Sequence, residues 1–213
     1  MNSPKVSIIT SVYNNEDFII DSVVSLISQS FEDFELILID DGSTDSTYNL
    51  IRTIKDERIR LFKRDNFGLT KSLNFALSQA KGEWIARHDC DDMSMYNRLE
   101  IQMKFLKNNP DIDIIGSSLY KFHEKYRFIN EIFFYPTLHE EILNALKIYN
   151  PFVHGSVIIR KEIFKKIGFY NEQYRYVQDY ELWNRVLKKY KSHNIIDPLY
   201  IRNVHKKSSE INI

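Results

Sequence analysis

The sequence predicts an α/β fold: a Rossmann-like, mostly parallel sheet flanked by helices, with a smaller lobe added by its second half. Three observations carry this expectation. Short, β-branched, nearly continuous apolar runs recur at Val6 to Val12, Phe34 to Ile39, Ile59 to Lys63 and Glu83 to Arg87. After each of the first three comes a stretch that reads as a helix, and such alternation builds a parallel, doubly wound sheet. Acidic and polar residues collect where the runs end, at Tyr13-Asn14, Asp40-Asp41 and Asp89 to Asp92. In such sheets ligands bind outside the carboxyl ends of the strands.

The elements follow in order. Val6 to Val12 (VSIITSV), between Pro4 and Asn14-Asn15, reads as a strand buried on both faces. In the next segment Ile20, Val23, Val24 and Ile27 form an i, i+3, i+4, i+7 stripe, with Glu16 and Asp17 where the positive end of a helix dipole favours acids. The second strand, Phe34 to Ile39, stops at Asp40-Asp41-Gly42-Ser43. A helix over Thr44 to Lys55, a strand over Ile59 to Lys63, a helix over Leu69 to Ala80 and a strand over Glu83 to Arg87 complete the first half. A helix from about Asn97 to Leu106 and a strand from Ile112 to Ile115 continue the alternation. Regularity then weakens. Phe122 to Tyr135 reads as a β-hairpin, His139 to Ile148 as a helix, Val157 to Ile159 as a strand, Lys161 to Ile167 as a helical turn closed by Gly168, and Tyr180 to Lys189 as a helix presenting Trp183, Leu187 and Tyr190. No linker or low-complexity stretch divides the 213 residues, so one domain is expected.

Composition narrows the function classes. Hydrophobic residues make up 43% and charged residues 27%, which excludes a disordered or fibrous chain. Lys+Arg and Asp+Glu both number 29, so no bulk charge draws the protein to nucleic acid. The charge is uneven: Glu16 to Glu57 holds eleven acids against two bases, and Arg160 to Lys207 twelve bases against five acids. A ligand carrying both a metal and phosphates would suit that asymmetry. The single cysteine, Cys90, fits a reducing compartment, and neither an 18-residue apolar run nor a signal-peptide pattern is present. A soluble cytoplasmic protein is the expectation.

The strongest local signal is Arg87-His88-Asp89-Cys90-Asp91-Asp92, with three carboxylates in four residues. Carboxylates this close repel unless something positive is bound. A hard divalent cation shared with substrate phosphates is one resolution; a solvated turn capping the next helix is the other. Asp40-Asp41-Gly42-Ser43-Thr44-Asp45 is a second acidic loop. A carboxylate there could take hydrogen bonds from a base or a ribose, although any strand-to-helix turn with an N-cap wants these residue types.

Three separate blocks carry a family resemblance: VSIITSVYNNEDFIIDSVVSLISQSFEDFELILIDDGSTDST, NFGLTKSLNFALSQAKGEWIARHDCDD and HGSVIIRKEIFKKIGFYNEQYRYVQDYELWNRV. In order and spacing they resemble glycosyltransferase family 2 over roughly Val6 to Ser209. The resemblance implies a GT-A fold and an inverting, metal-dependent transfer of a sugar from a nucleotide-sugar donor, most simply a UDP-sugar, to a saccharide or lipid-linked saccharide acceptor. Residues of about 1–92 would form the nucleotide-sugar half and about 93–213 the acceptor and catalytic-base half.

Carried over residue by residue, Ser11, Tyr13 and Asp41 would line the nucleobase pocket, with Asp40 beside them and Lys71 as a looser basic contact. Asp89-Cys90-Asp91 stands at the DxD position: Asp91 would meet ribose or metal, Asp92 would hold Mn²⁺ or Mg²⁺, and Asp89 would support the donor sugar. Cys90 reads as a small hydrophobe. Asp179, preceded by Gln178 where many relatives carry Glu, would be the general base, with Glu181 as the fallback and Trp183 close by. His154 would stand near donor sugar and acceptor. In the closing segment His205 would complete the metal shell, and Arg202 and Lys206 would clamp phosphate oxygens from a basic, flexible loop. Some of the Tyr and Phe residues in Phe122 to Tyr135 or Tyr170 to Tyr180 would stack on the acceptor.

Two other classes stay open at this stage. A nucleotidyltransferase-like enzyme would also want paired Asp residues, but would carry a Gly-rich basic loop after its first strand; here that loop is Tyr13-Asn14-Asn15-Glu16-Asp17. A silent nucleotide-sugar or carbohydrate binding module would not need Asp179. Resemblance points to bacterial surface polysaccharide assembly at the inner face of a membrane, where the basic surplus after Arg160 would support a peripheral contact. No nucleic-acid partner is expected, and a homodimer is as compatible with the sequence as a monomer.

Overall fold

A computed structural model describes residues 3–123 and 128–205. Its strands are β1 (Val6–Val12), β2 (Phe34–Asp40), β3 (Ile59–Lys63), β4 (Trp84–Arg87), β5 (Met93–Ser94), β6 (Ile114–His123), β7 (Phe128–Phe133), β8 (Ile158–Arg160) and β9 (Ser192–Val204). The helices are α1 (Ile19–Ile27), α2 (Thr47–Thr53), α3 (Leu69–Gln79), α4 (Arg98–Asn108), α5 (His139–Leu146), α6 (Lys161–Ile167) and α7 (Gln178–Val186). All strands join one sheet in the order β3-β2-β1-β4-β8-β6-β9-β5, with β7 pairing β6 off this path. The half from β3 to β4 is wholly parallel. Beyond it, β8 runs antiparallel to both β4 and β6, and β6 and β9 run parallel.

Every residue of β1 and β2 is buried, as their unbroken apolar runs require. Alternation sends Ile9, Ile37, Ile39 and Ile85 to one layer, against Leu73, Ala76 and Leu77 of α3 and Leu182 and Trp183 of α7. The opposite layer takes Ile8, Leu36, Leu38 and Trp84 against Val23 and Leu26 of α1 and Leu99, Met103 and Leu106 of α4. Among the described residues no helix is long and apolar enough to cross a membrane.

Three differences from the sequence reading have physical causes. Helices α1 and α2 start about three residues later than expected, because their leading polar residues tie the two loops together. Asn14 N–H donates to Ser43 Oγ at 3.0 Å, Asn15 N–H to Thr47 Oγ1 at 2.8 Å, and Ser46 N–H to Glu16 Oε2 at 2.9 Å. The segment expected to end as a flexible basic loop is instead the long strand β9 as far as Val204. Its pairing with β6 slips between Ser117 and Leu119, opposite Ile195 to Tyr200, where Pro198 has no N–H to give; the broken alternation hid the strand. Finally, β6 runs ten residues, well past the expected Ile115, and with β7 forms the expected hairpin.

Candidate active site

The carboxyl end of β4, the far end of β9, the 3₁₀ turn His154–Ser156, the first turn of α7 and the segment Tyr149 to Val153 meet around a cavity of about 470 Å³. Asp89, Asp91, Asp92, His154, Asp179 and Arg202 all line it, with Tyr135, Tyr149, Asn150 and Asn203. A larger groove, about 630 Å³, lies at the opposite end of the strands beside Lys5, Trp84, Met103 and Arg160. It gathers no comparable set of carboxylates, so the smaller cavity is the candidate site.

The acidic loop is held from several sides. Arg87 Nη2 donates to Asp89 Oδ1 at 2.6 Å, and Asp89 N–H to the Tyr200 hydroxyl at 3.1 Å. Asn203 N–H donates to Asp92 Oδ1 at 2.8 Å, and Asn15 Nδ2 to the Cys90 carbonyl at 2.8 Å, which ties this loop to the one after β1. His205 Nε2 lies 3.1 Å from Asp91 Oδ2, with its ring stacked on Phe18. Burial works to raise Asp89, but Arg87 and then His154 hold its carboxyl below the usual range. Burial, then the Asp89 charge, raises Asp91; burial, then Asp91 and Asp89, push Asp92 well up. Half-buried Cys90 has its thiol pushed well up by burial and then Asp91, which makes it unreactive.

This donor set fits Mn²⁺ or Mg²⁺. Among the described residues no three His, Cys, Asp or Glu side chains already form a metal cage. Such ions ordinarily take one or two carboxylates and complete their shell with water and substrate phosphates. Asp91 and Asp92 supply hard oxygen, and their crowding is what a cation would relieve.

Behind the loop lies a buried polar layer. His88 is fully buried, with Nε2 3.0 Å from Ser22 Oγ and 3.2 Å from the Asp92 carbonyl, and Nδ1 3.2 Å from Ser94 Oγ. Arg98, also buried, donates to Ser94 Oγ, to the Arg87 carbonyl and to Gln102 Oε1. Burial, then the Arg98 charge, lowers His88 to about 3. A histidine at its ordinary 6.5 in the unfolded chain therefore binds a proton that the folded protein refuses between pH 6.5 and about 3. Its contribution is present above 6.5 and lost as pH falls through that window, by about 1.4 kcal/mol per unit at most. Asp92, shifted the opposite way, opposes this slope, so the readout is a difference: His88→Gln is expected to lose less stability than wild type between pH 6.5 and 4 in urea titrations.

Across the cavity, His154 Nε2 lies 2.8 Å from the Tyr170 hydroxyl. Burial, then Arg87, lowers His154 to about 4, so its ring is neutral at pH 7. Asp179 stands in the first turn of α7, where the helix dipole favours a carboxylate, and its Oδ2 accepts from Asn150 Nδ2 at 2.6 Å. Val177, just before the helix, has φ of +55°, a left-handed conformation that a β-branched residue adopts under strain and that is common at functional sites.

The remaining expected residues fall differently. Tyr13, half exposed, and buried Ser11 stand at the carboxyl end of β1, beside Asp41 at the end of β2. Asp41 is occupied internally: its oxygens accept from Phe67 N–H at 3.1 Å, Gly68 N–H at 2.9 Å and Ser72 Oγ at 2.6 Å, which seats the loop before α3. Asp40 is fully buried with neither oxygen hydrogen-bonded among the described residues. Lys71 is exposed on the first turn of α3, outside the cavity lining.

Two expectations require correction. Glu181 does not face the cavity: Arg185 grips it through Nε at 2.7 Å and Nη2 at 2.8 Å, and also holds the Ile167 and Phe169 carbonyls. Trp183 is 1% exposed, packed behind His154 and Phe152, so it supports the wall and does not line the cavity. Lys206 lies outside the described residues. Sequence reading assigned no role to Arg87, Asn150, Tyr200 or Asn203, or to Tyr135 and Tyr149 individually. Arg87 stood two residues before Asp89 and could have been found; the others reach the site only through long-range packing.

Known proteins share this chain's sequence pattern and fold. A family model described as glycosyl transferase family 2 matches residues 7–168. The chain is 34% identical over 208 residues to the putative glycosyltransferase EpsE of Bacillus subtilis, covering 94% of this chain and 73% of that protein. It is 34% identical over 196 residues to an uncharacterized glycosyltransferase of Haemophilus influenzae, covering 87% of this chain and 61% of that one. Against the O-antigen biosynthesis glycosyltransferase WbnJ of Escherichia coli it is 29% identical over 217 residues, covering 96% and 82%. The fold matches that of S. aureus TarS 1–349 in complex with UDP-GlcNAc with a TM-score of 0.79 at 22% identity, covering 96% of this chain and 60% of that one. The chain thus spans about three fifths of the Haemophilus relative and of TarS 1–349.

Proposed function

The chain belongs to glycosyltransferase family 2, and we propose that it acts as a metal-dependent, inverting glycosyltransferase using a UDP-sugar. The observation that carries this reading is the single cavity in which Asp89, Asp91, Asp92 and Arg202 face His154 and Asp179. One part is built for a charged leaving group and the other for a proton.

Tyr13 and Ser11 are the residues for the base and ribose, with Asp41 fixing the adjacent loop. Asp91 and Asp92 would hold Mn²⁺ or Mg²⁺, and His205, against Asp91, stands at the edge of that set. When bound, such a cation neutralises charge gathering on the departing nucleoside diphosphate. Arg202 adds a fixed positive charge for phosphate oxygens. Asp179 takes the acceptor proton as the hydroxyl attacks, while neutral His154, hydrogen-bonded to the Tyr170 hydroxyl, adds no charge to that wall. The acceptor proposed is a saccharide, free or lipid-linked, of a bacterial surface polysaccharide, in keeping with the O-antigen biosynthesis role of WbnJ. A peripheral, salt-sensitive contact with an anionic membrane face belongs to the same proposal, and rests on the basic surplus after Arg160.

Calorimetric titration of UDP, GDP and CMP, each with Mn²⁺ and again with EDTA, tests the donor half. UDP is expected to bind with Mn²⁺ and to lose at least tenfold in affinity with EDTA. Binding indifferent to EDTA removes the metal from the proposal, and tighter binding of GDP or CMP replaces the donor base.

A further inference from the structure

We infer that Asn150 is a positioning residue for the catalytic carboxylate: it grips one oxygen of Asp179 and leaves the other for the acceptor hydroxyl. The inference rests on the proposed role of Asp179 as base.

Asn150 is set before any substrate arrives. It precedes Pro151, which restricts its backbone to extended conformations. The Pro151 carbonyl accepts from Asn194 Nδ2 at 3.0 Å, and the same amide donates to the Pro136 carbonyl at 2.8 Å, so this turn is tied to β9. Phe152 N–H donates to Asn150 Oδ1 at 3.3 Å. That bond fixes which end of the amide is which: the oxygen faces the backbone, and the NH₂ faces Asp179. Nδ2 then donates to Asp179 Oδ2 at 2.6 Å, at the wall of the cavity that both residues line. Oδ1 of the same carboxylate accepts no hydrogen bond from the described residues. A carboxylate held at one oxygen cannot turn its free oxygen out of line with an incoming hydroxyl, and such orientation is a large part of catalytic advantage. An amide, unlike an acid, has no proton to lose, so the grip stays constant through neutral pH. The titratable groups facing Asp179 are His154 and Tyr170, and Asp89, Asp91, Asp92 and Arg202 line the same cavity.

The test compares Asn150→Ala, Asn150→Asp and Asp179→Asn. Nucleoside diphosphate release from a UDP-sugar with Mn²⁺ and water as acceptor is followed from pH 5 to 9, with UDP affinity measured alongside. Asn150→Ala is expected to lose at least tenfold in kcat with UDP affinity within twofold of wild type. Asn150→Asp places a second carboxylate against the first, so its rate profile should rise at higher pH than that of wild type; a purely structural role would leave the profile in place. Asn150→Ala turning over like wild type while Asp179→Asn is inactive overturns this inference and spares the base. Asp179→Asn turning over like wild type overturns the base itself. A crystal structure of Asn150→Ala decides independently of turnover: the Asp179 carboxylate should leave its place against residue 150, and an unmoved carboxylate overturns the inference.

Discussion

Asp179→Asn is expected to bind UDP as wild type does and to lose sugar transfer by a factor of about 10² to 10⁴, the range that a positioned general base supplies. The substitution keeps the shape of the side chain. An asparagine there still offers an oxygen to Asn150 Nδ2, so the bond measured at 2.6 Å can survive and the first turn of α7 has no reason to move. The proposed nucleotide side is equally untouched, because the acidic loop lies at the end of β4, where Arg87 holds the Asp89 carboxylate, Asn203 N–H the Asp92 carboxylate and the Tyr200 hydroxyl the Asp89 N–H. What disappears is the carboxylate proposed to take the proton. Initial rates with a saccharide acceptor panel, read against UDP calorimetry on the same preparation, separate the two. Near-normal transfer would mean that another group removes the proton, and Glu181 is a poor candidate while Arg185 grips both its oxygens.

The parallel half of the sheet was legible because each of its strands is short and local in its signal, and β1, β2 and β4 are buried throughout. β1 and β3 have the boundaries their apolar runs set, and β2 differs only by taking in Asp40. Helix starts were less legible. Glu16 and Ser43 look like capping residues, yet they spend their bonds between loops 29 to 30 residues apart, and Asp45 divides its carboxylate between Glu16 N–H across the loops and Thr47 N–H two residues on. β9 was illegible for a different reason: Asn194, Asp197 and Pro198 interrupt its pattern, and pairing with β6 along its length and with β5 near its end makes a strand of it.

The site divides along the same line. Asp89, Asp91, Asp92 and Asp179 were readable because three are packed into one turn and the fourth lies in a block of family resemblance. Asn150 and Tyr200 were not, since the former meets Asp179 across 29 residues and the latter meets Asp89 across 111. Glu181 and Trp183 show the converse failure. Proximity to Asp179 along the chain suggested ligand contact, but Glu181, two residues on, points to another face of the helix where Arg185 holds it, and Trp183, one turn on along the same face, is buried behind His154 and Phe152.

Gly155→Ala should be the most damaging of the small substitutions, although nothing in the backbone angle of Gly155 demands glycine. Space does. A Cβ at Gly155 would lie 2.0 Å from the Tyr200 hydroxyl, 2.4 Å from its Cζ and 2.9 Å from Asp89 Oδ2. None of these can retreat cheaply. Tyr200 is fully buried, with the Arg98 guanidinium 5.4 Å from its ring and His88 edge-on, and its hydroxyl takes the Asp89 N–H. Asp89 is itself gripped by Arg87. Overpacking of this kind costs about 1–3 kcal/mol, which for a domain of this size lowers Tm by roughly 2–4 °C per kcal/mol. The larger effect should be functional: pushing Tyr200 and Asp89 apart releases the loop that carries Asp91 and Asp92, so Mn²⁺-dependent UDP binding should fall at least tenfold. Tyr200→Phe removes the closest atom but leaves Cζ, so the double variant should recover only part of the lost stability. Full stability and normal UDP binding in Gly155→Ala would show that the β9 end can slide away from the His154 turn, and the acidic loop would then owe its shape to Arg87, Asn203, Asn15 and His205 without the Tyr200 hydroxyl.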